Sequence, residues 1–152
     1  MRLVVSELIS IDGVVQAPGA AHEDQDDGFR HGGWSRPFFD PESMGPLLDE
    51  VMEAADALLL GRRTYVAMAA EWPARVDDPF ADRINALPKY VATRTLQEAD
   101  LTWANSSVLP AANPIGAVRE LKGRPGGDLL VCLLYTSPSP RDISGSRMPS
   151  SA

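Results

Sequence analysis

The chain is poor in cysteine, in histidine, in positive charge and in long apolar runs. Its single cysteine, Cys132, excludes an internal disulfide and fits a reducing cytoplasm, where the protein is expected to work. With no basic neighbour in sequence, Cys132 reads as a small packing residue. His22 and His31 have no partners at metal-ligand spacing and read as solvated or capping groups, so no metal is expected. Glu23, Asp24, Asp26 and Asp27 lack the alternating spacing and terminal glutamate of a calcium loop, which leaves a solvated charge run. The 14 Lys+Arg stand against 21 Asp+Glu, a formal net charge of −7. That balance argues against a nucleic-acid surface, yet an acidic protein with a locally basic site still binds an anionic small molecule. No apolar run approaches the roughly 20 residues needed to cross a bilayer, so no membrane role is expected. Met1-Arg2-Leu3-Val4-Val5-Ser6-Glu7 holds a charge within its first apolar run and no small-residue cleavage site, unlike a secretion signal. No nucleophile, base and acid are arranged for hydrolysis.

What is present suits one domain: 152 residues suffice for a real core and fall short of two ordinary ones. Residues 3–11 are rich in Val, Leu and Ile and predict a first strand in the middle of a sheet, closing on an Asp12-Gly13 turn. Residues 14–39 show neither helical nor strand periodicity and read as a long ordered loop, a length that is usually functional or mobile. Asp40-Pro41-Glu42 is a helix start, with Asp40 as cap and Pro41 at the first helical position. Met44, Leu47, Leu48, Val51 and Met52 then recur at helical spacing and predict one buried face. A short apolar run, residues 57–60, predicts a strand buried on both faces, followed by a helix over 62–70 that Trp72-Pro73 stops. A helical turn over 82–87, a strand over 89–95 and a short edge strand within 101–109 come next. A helix over 115–122, opened by Pro114 and closed by Gly123, leads to a buried strand over 128–131. Strands and helices alternating at this pitch argue an α/β fold with a mostly parallel sheet.

The corner Gly61-Arg62-Arg63-Thr64-Tyr65 carries the chemistry. A glycine there permits a tight turn or close approach of the backbone to a ligand. A helix starting at Arg62 or Arg63 offers free N–H groups and a positive dipole end, to which guanidinium groups add bidentate donors for phosphate. The plainer reading is a strand-turn-helix corner with solvated arginines. Trp34, Phe38 and Phe39 either wall a flat heteroaromatic substrate or anchor the loop to the core.

Taken together, Ser10-Ile11-Asp12-Gly13-Val14-Val15-Gln16, His31-Gly32-Gly33-Trp34, Leu59-Leu60-Gly61-Arg62-Arg63-Thr64-Tyr65 and Pro88-Lys89-Tyr90-Val91-Ala92-Thr93-Arg94-Thr95 resemble the dihydrofolate-reductase-like family. The likeness is closest to stand-alone relatives of the reductase domain of the bifunctional riboflavin-biosynthesis deaminase-reductase, and it covers residues 1–131. It implies an NADPH-dependent reductase that transfers a hydride to a C=O or C=N bond of a small pterin- or pyrimidine-like substrate, and a possible homodimer. By position it places Arg62 on the 2′-phosphate, with Gly61, Arg63 and Thr64 around it. It puts Thr93 and Arg94 on the adenosine half and Asp12, Gly13 and Val14 beside the nicotinamide. Arginines at a helix N-terminus favour a phosphorylated ribose, hence NADPH over NADH.

The chain departs from that pattern twice. Where the family has a Gly-rich turn and helix for the pyrophosphate, this sequence reads Cys132-Leu133-Leu134-Tyr135, and the later C-terminal strands are missing. Residues 132–152 are Ser/Pro-rich after Tyr135 and are expected to be a disordered, non-family tail of a frameshifted or truncated sequence. No residue clearly matches the acid that dihydrofolate reductases carry on their first helix; Asp49 is the catalytic candidate by default. A non-catalytic nucleotide-binding module and an inactive fragment remain the alternatives.

Overall fold

Apolar runs and helix-start residues lay out the elements in chain order. The computed structural model describes residues 1–133 other than 22, 26 and 27. It contains β1 (Arg2–Glu7), α1 (Pro41–Ala54), β2 (Ala55–Gly61), α2 (Arg62–Glu71), α3 (Pro79–Ala86), β3 (Lys89–Ala92), β4 (Ser106–Val108), α4 (Pro114–Gly123) and β5 (Asp128–Leu133). The strands form one sheet in the order β1-β5-β2-β3-β4, with β2 parallel to β3 and β5, and β3 parallel to β4. This is the expected α/β architecture with a parallel sheet. The expectations for His22, Asp26, Asp27 and residues 134–152 lie outside the described residues, whereas Cys132 and Leu133, expected in the disordered tail, continue β5.

Two units make up the chain, one of Met1–Ser6 and Asp40–Cys132, the other built on Glu7–Phe39. In the first, β2 is the interior strand that its apolar run predicts. Leu58 and Leu60 are buried, and Ala57 packs with Leu109, Leu121 and Leu129 in a core cluster that Val118 of α4 also joins. Each buried Leu or Val contributes roughly 1.5–3 kcal/mol relative to exposure. The helix starts are chemically explicit. Asp40 accepts from the Glu42 N–H and the Ser43 hydroxyl, and these bonds hold its carboxyl below the usual range. Asp78 accepts from Phe80 and Ala81, and Asn113 from Gly116, each just ahead of a proline at the first helical position. At its other end α1 has no basic residue of its own, and Arg83 of α3 donates to the Met52 and Glu53 carbonyls instead. Helix α2 ends at Glu71 and passes into a single 3-10 turn, Trp72–Ala74, as Trp72-Pro73 predicts.

Several expectations are corrected. The first strand ends at Glu7 rather than near Ile11, and it lies at one end of the sheet rather than in the middle. An apolar run marks a strand without fixing how many neighbours it has; here Leu3 and Val5 are 37% and 58% exposed. The third strand stops at Ala92, because the Thr93 hydroxyl accepts from the Thr95 and Leu96 N–H groups and turns the chain away. In α1 only Met52 is fully buried and Leu47 is 63% exposed. Periodicity tells which residues share a face, not how much of that face finds a partner. The helical turn expected over 82–87 is an eight-residue helix, α3, because Asp78-Pro79 starts it earlier.

The second unit confirms an ordered loop that is bonded to itself. Gly33 N donates to Ala17 O, Ser35 bonds Pro18 O through both its N–H and its hydroxyl, and Glu23 accepts from Gly19 and Ala20. A Cβ on Gly32 would lie 2.6 Å from the Ala21 carbonyl oxygen, so only glycine lets the two stretches approach this closely.

Candidate functional site

In open parallel sheets the connections leave at the carboxyl ends of the strands, and ligands bind in the crevice outside them. Gly61 at the end of β2 pairs with Ala92 at the end of β3. The segments Arg62-Arg63-Thr64 and Thr93-Arg94 therefore emerge side by side. Helix α2 begins at once, with Gly61 as its N-cap, no capping side chain and no acid in its first turn. Its first-turn N–H groups thus have no capping side chain, and the dipole favours an anion there. Gly61 itself has φ −73 and ψ 160, an extended conformation open to any residue, so a special turn is not its reason. What glycine contributes is the lack of a side chain where a ligand would meet the helix end.

Thr64 sharpens this picture. It is fully buried at 0% exposure, and its hydroxyl has no hydrogen-bond partner among the described residues. A buried hydroxyl left unpaired costs roughly 1–3 kcal/mol, so such groups call for an explanation. Arg62, Arg63 and Arg94 are exposed and sit on the two segments that leave this edge of an acidic chain. The Thr93 hydroxyl is already an acceptor for its own turn and keeps one proton to donate.

The second unit holds the remaining sequence-derived candidates other than Asp49. Gly13 has φ 89, which fits the Asp-Gly turn, and it donates to Ser10 O. Ser10 donates its hydroxyl to Asp12 and accepts from Val14 N, and Val14 is buried. The turn at Asp12, Gly13 and Val14 is thus rigidly bonded within itself. Trp34 donates its indole N–H to Gln16 O, so it fastens the loop to itself. Phe38, in the 3-10 turn Arg36–Phe38, is 80% exposed and does not anchor the loop to a core, while Phe39 is 41% exposed.

The model of the RibD C-terminal domain family matches residues 2–132. The chain belongs to that family. The family is the reductase domain of the riboflavin-biosynthesis deaminase-reductase, and the parallel α/β sheet agrees with its dihydrofolate-reductase-like fold. No curated protein matches the chain. The RibD C-terminal domain match takes in both units, including the corner at Gly61-Arg62-Arg63-Thr64 and the turn at Asp12-Gly13.

The RibD-like chain places Asp49 on α1, exposed, with no hydrogen bond or ion pair among the described residues. Among those residues no three His, Cys, Asp or Glu side chains gather as a metal site, and no helix is long and apolar enough to cross a membrane. Sequence reasoning missed Lys89, which opens β3 and is 0% exposed. Its ammonium donates to the carbonyls of Asn85, Leu87 and Ala104 at 2.7, 2.8 and 3.0 Å and lies 4.4 Å from the Trp103 ring centroid. Burial pushes its pKa down to about 8, while the carbonyls and the indole face favour the charged form. It holds the amino end of β3, opposite the candidate edge, and is a structural residue. A lysine heading an apolar strand was the only signal, and it resembles any solvated strand start.

Proposed function

We propose that the chain binds NADPH at the carboxyl edge of β2 and β3 and reduces a C=O or C=N bond of a pterin- or pyrimidine-like substrate. The phosphoribosylamino-uracil reduction of riboflavin biosynthesis is the type we infer. Family membership supports a reductase of that pathway. The buried Thr64 hydroxyl, without a partner among the described residues and in the first turn of an uncapped helix, carries the cofactor assignment. A phosphate there would accept from that hydroxyl and from the first-turn N–H groups, and Arg62 would meet the ribose 2′-phosphate. Gly61 leaves room for it, and Arg63, Thr93 and Arg94 line the adenosine side. NADPH, when bound, supplies the hydride. The protein's share is to orient the cofactor and keep water out.

Residues of the second unit enter this proposal by family resemblance. That resemblance would assign Asp12, Gly13 and Val14 to the nicotinamide, and Trp34 and Phe38 to the flat substrate ring. Asp49 is our candidate for the polar group that meets substrate. A second reading, nucleotide binding without turnover, draws support from one observation, the exposure of Asp49 on α1. Fluorescence titration with NADPH and NADH, followed by cofactor oxidation, separates the two readings. Arg62→Ala should weaken NADPH binding about tenfold or more and leave NADH binding nearly unchanged, because only NADPH carries the charge that this guanidinium meets. Equal losses for both cofactors would remove Arg62 from the site. Saturable binding without oxidation would select the second reading.

A further inference from the structure

Helix α2, whose first turn forms the candidate anion corner, is held by chain distant in sequence. Tyr65 is 2% exposed, and its phenolic oxygen accepts the Trp103 backbone N–H at 3.0 Å. Just past the helix end, the Trp72 carbonyl accepts from the Asn85 side-chain amide at 3.1 Å. Both holds lead to Trp103, because its indole N–H donates to the Asn85 side-chain oxygen at 2.7 Å. Trp103 is itself 3% exposed, and the Lys89 ammonium, which donates to three carbonyls, covers its ring. Tyr65 therefore bonds to a backbone group whose own side chain is fixed on two sides.

Packing alone does not ask for that hydroxyl. A phenylalanine would fill the same space, and the apolar contacts of Met68, buried on the same face of α2, have no direction. A hydrogen bond has one, and it weakens steeply as its angle closes. Thr64 precedes Tyr65 by one residue, roughly 100° round the helix. Turning α2 about its axis therefore moves the Thr64 hydroxyl and the Tyr65 oxygen together. We propose that Tyr65 is a positioning residue: by bonding the Trp103 N–H it fixes the rotation of α2 and so aims the Thr64 hydroxyl at the bound phosphate. This role rests on the cofactor reading above.

Tyr65→Phe in the full chain keeps the ring and removes the acceptor. Fluorescence titration of the folded variant should give an NADPH Kd raised about tenfold. A double-mutant cycle with Thr64→Val reads what a merely structural role leaves unmoved. In the Thr64→Val background the loss caused by Tyr65→Phe should shrink to about threefold or less, since no hydroxyl is left to aim. Hydrogen exchange on the unaltered chain covers the case in which the variant folds poorly. Coupling is reciprocal, so saturating NADPH should slow the Trp103 amide more than the amides within α4. A wild-type Kd in folded Tyr65→Phe, an equal loss in both backgrounds, or equal slowing at Trp103 and α4 would each overturn the positioning role and leave the cofactor reading standing. An unaltered chain that shows no saturable NADPH binding would overturn that reading, and the positioning role with it.

Discussion

In the proposed site, Thr64 is the residue at which folding and binding would ask for different things. Its hydroxyl is buried and has no partner among the described residues, so the folded chain carries an unmet hydrogen bond at this point. Thr64→Val keeps the shape and removes the polar atom. Thermal melts of the free variant should show no loss of stability and a gain of up to about 1 kcal/mol. Its NADPH affinity should fall about tenfold, because a hydrogen bond to a charged group is worth roughly 1.5–3 kcal/mol. A variant that loses stability and keeps affinity would mean that the hydroxyl serves the fold. The residue types at this corner were legible in the sequence, since Gly, Arg, Arg and Thr after an apolar run spell out a strand end and a helix start. The burial of Thr64 was not, because it depends on how the first turn of α2 seats against β2 and β3.

At the scale of elements, Lys89 ties the end of α3 to the start of β3 and the chain leading into β4. Three carbonyls from residues 85, 87 and 104 converge on one ammonium, and Trp103, whose indole N–H donates to Asn85, covers it. Lys89→Met would leave all three carbonyls without this donor, and chemical denaturation should show a loss of at least about 3 kcal/mol. The pH dependence has a definite sign. The folded-state pKa is about 8 against an ordinary 10.5, so between those values the unfolded chain holds more protons. Wild-type stability should therefore climb with pH through that window, and Lys89→Met should lack this slope. The helix starts at Asp40-Pro41 and Pro114 were readable because a cap is a local event that satisfies N–H groups within a few residues, although the Asp78-Pro79 start, equally local, was passed over. Edges were not readable. Whether β1 has one neighbour or two depends on chain far away in sequence, as does the cover over α1.

Across the whole molecule, the first strand is fastened to the last described one by side chains as well as by backbone. Arg2 donates to both Asp128 oxygens, at 3.0 and 2.7 Å, and this fork holds the Asp128 carboxyl below the usual range and raises the Arg2 guanidinium. A depressed carboxylate contributes stability that is present above its unfolded pKa of about 4 and is lost as pH falls through the folded value. Urea melts at falling pH should thus show a steeper acid loss for the wild type than for Arg2→Met. Identical slopes would mean that the fork contributes nothing to acid stability.

The pairing of Gly61 with Ala92 sets the spacing between the Arg62-Arg63-Thr64 and Thr93-Arg94 segments by main-chain geometry, independent of any side chain in the interior. Descendants of this sequence are free to exchange Leu for Ile or Val throughout the strands while the mouth keeps its width. Inserting one residue into β2 would instead swing the arginine pair to the opposite side of the sheet, away from its neighbour.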